Sequence, residues 1–73
     1  MTTSRAIGTI TVNHWKVPTT IRRLRKIENL SGADLHVEYQ DDLFDDSSQV
    51  MYVFSGTRDE ISIVDSLSKQ ARW

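Results

Sequence analysis

Seventy-three residues and 8.4 kDa leave room for one core, so the chain reads as a single small α+β domain over 1–73, without separate cofactor and substrate domains. An apolar fraction of 38%, a charged fraction of 26%, three Gly and one Pro form an ordinary globular balance, which excludes a disordered tail and a fibrous repeat. Nine Lys+Arg against ten Asp+Glu give a net charge of −1, which argues against a domain living on nucleic-acid phosphates.

The segment Met1 to Arg5 leads into Ala6 to Val12, whose threonines interrupt any signal-peptide stretch and leave nothing near the ~20 residues that span a bilayer. From Ile7 to Trp15, Ile10 and Val12 alternate with Thr9, Thr11 and Asn13, predicting a first strand with one buried face. Pro18 suits a helix start, and Ile21, Leu24, Ile27 and Leu30 recur every three residues. A helix is therefore expected from about Thr19 to Ser31, with Gly32 as its C-terminal cap.

Leu35, Val37 and Tyr39 alternate with His36, Glu38 and Gln40, a one-sided second strand. Asp41 to Gln49 reads as a loop, although Leu43 and Phe44 at its centre are large apolar residues that a solvated loop does not need. Val50 to Phe54 is an uninterrupted apolar run, as in a central strand. Thr57-Arg58-Asp59-Glu60 is a capping box, and Ile61, Val64, Leu67 and Ala71 follow at helical spacing. That second helix is expected to continue almost to Trp73.

A right-handed crossover and an acidic hairpin give the sheet order 1-3-2 with both helices on one face. This is the ferredoxin-like βαββα plan lacking its fourth strand. The element order resembles that of ACT regulatory domains and RNA-recognition motifs. Asn13 to Thr20, however, contains no counterpart of the glycine that ACT domains use for ligand binding.

Chemistry is sparse. The chain has no cysteine, which removes disulfides, thiolate nucleophiles and cysteine zinc sites and fits a reducing compartment such as the cytoplasm. His14 and His36 lie on strands expected about 10 Å apart, and no nucleophile is expected beside either. There is no Gly-Xaa-Ser-Xaa-Gly turn and no glycine-rich phosphate loop. No catalytic residue, cofactor or metal is therefore assigned. Asp41, Asp42, Asp45 and Asp46 lack the spacing of a calcium-binding loop and read as solvated. They form a negative patch, whereas Arg22, Arg23, Arg25 and Lys26 form a positive ridge. Both could steer a partner.

The face assigned to Val50–Phe54 remains open at this level. Outward Tyr52 and Phe54 would suit base stacking, whereas outward Met51 and Val53 would suit a protein partner. The leading expectation is a small non-catalytic protein-binding regulator or inhibitor, of the kind phages and mobile elements encode. The alternatives are a nucleic-acid module using the Arg22–Lys26 helix or Tyr52 and Phe54, and an ACT-like ligand sensor. Because the fourth strand is missing, the first strand is left as an open edge. A homodimer is expected there, through Ile7, Thr9, Thr11 and Asn13.

Overall fold

Alternation of small or β-branched residues draws the first segment into strand β1, Ser4–Asn13, in the computed structural model, which describes residues 3–71. The strand starts earlier than its apolar pattern and stops before His14. His14–Lys16 form a single 3-10 turn that takes Trp15 out of the ladder and leaves it exposed. Helix α1, Val17–Ser31, follows with Pro18 in its first turn, where a missing N–H breaks no helical bond. Gly32 closes it in the left-handed region, at φ 81°, with its N–H donating to the Glu28 carbonyl. A glycine adopts that conformation without the clash a Cβ would bring.

Strand β2, Asp34–Asp41, and strand β3, Ser47–Gly56, form a hairpin around residues 42–46. Helix α2, Arg58–Gln70, completes the βαββα order; Trp73 lies outside the described residues. The sheet order is β1-β3-β2, with β3 antiparallel to both neighbours. The architecture is the open three-stranded α+β plan, consistent with a ferredoxin-like fold missing a strand.

The core lies between the sheet and the two helices. It contains Val12, Val17, Leu24, Ile27, Ala33, Val50, Phe54 and Val64. The buried stripe of α1 is Val17, Thr20, Leu24, Ile27 and Ser31, whose alternating steps of three and four track the helical repeat. The three-residue series from Ile21 to Leu30 lags behind it. Nine residues at about 100° each place those two side chains roughly half a turn apart, and Leu30 is 60% exposed rather than in the core.

The capping box of α2 is complete. Glu60 N–H donates to Thr57 Oγ1 at 3.2 Å, and Thr57 N–H donates to Glu60 Oε1 at 2.8 Å. Thr57→Ala is expected to cost about 1 kcal/mol, a fall of roughly 4–8 °C in melting temperature for a domain of this size. Thermal unfolding followed by circular dichroism checks it, and an unchanged midpoint would show that the cap contributes nothing.

Candidate functional site

Which side of β3 faces the helices decides what the protein can present to a partner. Ser48, Val50 and Phe54 are buried and Tyr52 packs against the core, so the even-numbered side chains lie beneath the helices. The two rings meet edge to face at 5.6 Å. Tyr52 and Phe54 therefore provide no base-stacking platform, which corrects that use of them. The open face carries Met51 and Val53, and the register places Val53 beside Ile7 and His36, and Met51 beside Thr9 and Glu38. Ile7 is 74% exposed. A short apolar strip thus crosses β1 and β3, bordered by the polar side chains of β2.

The two edges of the sheet differ. In an antiparallel ladder, a residue directs its N–H and C=O to the same side, and successive residues alternate. Leu35 N–H donates to Glu28 Oε2 at 2.7 Å, so the odd-numbered residues of β2 face away from β3. Passing that alternation through the register turns the N–H and C=O of Arg5, Ile7, Thr9, Thr11 and Asn13 outward from β1. Two bonds agree with this parity: His14 N–H donates to the Asp46 carbonyl, and Asp42 N–H donates to the Ser47 carbonyl. The β2 edge is guarded by Glu28 and by the His36–Glu38 pair at 3.2 Å. Along β1 the only ionisable side chain is Arg5.

Gly8 sits opposite Tyr52, and the tyrosine ring lies across it. A Cβ at position 8 would come within 2.6 Å of Tyr52 Cζ. The glycine therefore lets the ring cross the strand beside the open edge.

The predicted basic residues Arg22, Arg23, Arg25 and Lys26 all stand exposed on α1. Arg25 pairs with Glu28 at 3.3 Å, while Arg23 and Lys26 border a groove of about 360 Å³ floored by Ile27, Leu30 and Leu67. The four predicted acidic residues cluster at the β2–β3 turn and are all exposed, and two of them also have structural partners. Asp42 Oδ1 accepts the Phe44 N–H at 2.9 Å, and Asp41 Oδ1 accepts the Ser48 hydroxyl at 2.5 Å.

His14 joins that second bond, with Nδ1 2.8 Å from Ser48 Oγ and 3.3 Å from Asp41 Oδ1. A hydroxyl beside His14 was not expected from the sequence, because thirty-four positions separate the two residues and no local spacing signals the contact. Ser48 commits its proton to the carboxylate, so His14 Nδ1 donates to Ser48 Oγ. A nucleophilic serine requires the opposite polarity, with its proton passing to the imidazole, and Ser48 is 0% exposed. The arrangement ties the start of the crossover to the hairpin. Among the described residues, no group of three or more His, Asp or Glu side chains is placed to hold a metal. His36 and Glu38 pair separately on the open face.

The hairpin tip lifts Leu43 and Phe44 to 93% and 99% exposure. Burying each of two such side chains would contribute about 1.5–3 kcal/mol, which this fold leaves unrealised. Among the described residues, no helix is long and apolar enough to cross a membrane. No protein-family model matches the sequence, and a comparison with curated proteins finds no match.

Ser48→Ala removes a buried hydroxyl that bonds to both His14 and Asp41, and a loss of about 1 kcal/mol is expected in denaturant unfolding. A variant as stable as the parent would show that the contact contributes nothing. Millimolar Ca²⁺ is expected to leave the melting temperature unchanged. A rise of several degrees would reveal a cation held by the folded state.

Proposed function

We propose that the chain is a small non-catalytic regulator or inhibitor that acts in the cytoplasm by binding other proteins. Its contact surface is the β1 edge with the adjoining open sheet face, and the basic helix and acidic turn orient the approaching partner. The observation that carries this reading is the row of outward N–H and C=O groups on Arg5, Ile7, Thr9, Thr11 and Asn13, next to the apolar strip of Ile7, Met51 and Val53. Such an edge accepts another strand through main-chain bonds, while neighbouring side chains supply selectivity.

The first partner is a second copy. Two antiparallel edge strands in one sheet are related by a two-fold axis perpendicular to that sheet, so both helix layers remain on one side. The two apolar strips then join on the other side. Odd-numbered residues pair with odd-numbered residues, and the groups left unpaired in one copy become partners in the dimer.

Nucleic-acid binding now rests on the helix ridge alone, since Tyr52 and Phe54 lie beneath the helices. Short RNA and DNA are expected not to bind at low salt. Affinity that falls steeply between two salt concentrations would favour that alternative instead.

Sedimentation velocity at micromolar concentration is expected to give a dimer. Thr11→Pro removes an outward N–H and is expected to give a folded monomer. A strictly monomeric wild type would remove the dimer and leave only strand addition from a foreign protein.

A further inference from the structure

Leu43 and Phe44 stand at the hairpin tip, where they share a cavity of about 340 Å³ with Thr11 and Gln49, and the core does not include their side chains. The backbone of the tip is nevertheless held on both shoulders. Asp42 N–H donates to the Ser47 carbonyl at 3.0 Å, Phe44 N–H donates to Asp42 Oδ1 at 2.9 Å, and the Asp46 carbonyl accepts from His14 N–H at 3.1 Å. Beneath it, His14 and Asp41 meet at the buried Ser48. The fold therefore fixes the base of a turn while presenting almost the whole surface of two large apolar side chains to solvent. A loop held in its binding conformation loses less entropy when it docks.

We infer that this tip is a plug that enters an apolar cleft on a foreign protein whose rim carries Lys or Arg side chains. The inference rests on the protein-binding reading above, and it uses side chains of the turn that adjoins the Thr11 end of the β1 edge. Charge identifies the occupant. Asp41, Asp42, Asp45 and Asp46 flank the apolar pair on both sides of the turn, and Asp45 and Asp46 have no side-chain partner among the described residues. Carboxylates on both sides of the pair repel nucleic-acid phosphates and anionic lipid, which disfavours both as occupants. A basic rim attracts it, and an apolar floor takes up Leu43 and Phe44, giving the buried centre and polar border of a protein interface.

The chain's own α1–α2 groove, with Arg23 and Lys26 beside Ile27 and Leu30, offers related chemistry. A tip-to-groove contact between copies joins different surfaces, however, and without ring closure it propagates into open polymers. The plug is therefore assigned to a foreign protein.

The test places a benzophenone-bearing phenylalanine analogue at position 44 of the full chain, irradiates it in extract of the cells that make the protein, and maps each cross-linked peptide. The expected result is one protein species, labelled within an apolar cleft bordered by Lys or Arg. Leu43→Ser in the same chain should lower the yield at least tenfold, and so should the double variant Asp45→Lys, Asp46→Lys. Melting temperatures must stay at the parent value for that comparison to stand. Labelling of a second copy or of lipid, labelling of a cleft without a basic rim, labelling insensitive to these substitutions, or no adduct would each overturn the inference. The Leu43→Ser, Phe44→Ser double variant is also sedimented. It should match the wild type in mass, so failure at the tip is separable from failure at the β1 edge.

Discussion

The alternation of β3 is the constraint on which the remaining structure depends. Among the described residues, β3 is the only strand bonded on both sides, so its register fixes the backbone parity of β1 and β2 together. Once Ser48, Val50, Tyr52 and Phe54 turn toward the helices, Met51 and Val53 must face the other way. The same parity turns the N–H and C=O of Ile7, Thr9 and Thr11 outward at the edge. A one-residue slip would reverse all of this at once, placing Phe54 in solvent and Val53 in the core. Phe54 and Val50 are fully buried, so the slipped register loses the largest contacts available to a core of this size.

Much of this was legible in the sequence, because periodicity and caps are local signals. The one-sided pattern of Leu35, Val37 and Tyr39, which holds for the first two while Tyr39 is 56% exposed, the glycine at 32 and the Thr57–Glu60 box each report on a neighbourhood of a few residues. The element order then admitted few topologies. The face of β3 was not legible, since an apolar run such as Val50–Phe54 carries no period. Only the helices, packing from distant sequence, choose its buried side. Leu30 shows a related failure. A three-residue spacing resembles a helical face over two turns and leaves it by the third. Trp15 has the aromatic character of a strand residue, whereas the 3-10 turn at His14–Lys16 ends the ladder before it and leads into α1.

The His14–Ser48–Asp41 contact is the part of the candidate site that no reading of spacing could find. It joins the crossover, the second strand and the third, and forms only after the sheet has paired. Its chemistry explains its position. A serine at the start of a central strand is buried with a hydroxyl that must be satisfied, and the nearest available groups are the imidazole leaving β1 and the carboxylate ending β2. Asp41 is thereby drawn into holding the turn, Asp42 joins it by accepting the Phe44 N–H, and Asp45 and Asp46 remain toward solvent. An acidic run that looks uniform in sequence is divided by the fold into anchoring and outward-facing members.

The distribution of apolar surface then separates what the fold uses from what it leaves over. Buried side chains occupy one layer between the sheet and two helices, and a chain of this length cannot enclose both faces of its sheet. Scattered exposed apolar residues on such a domain need no explanation. Leu43 and Phe44 are different, because they are adjacent, almost fully exposed and carried on a turn anchored at its base. Ile7 differs for another reason, since it adjoins Val53 on the open face at the edge where the backbone is unpaired. These two places lie on separate elements and offer different chemistry. The edge provides main-chain bonds, which are indifferent to a partner's sequence. The tip provides two specific side chains within a negative field, which are not. On the proposed binding role, selectivity would come from engaging the second kind of contact together with the first, because strand pairing alone would accept nearly any extended segment.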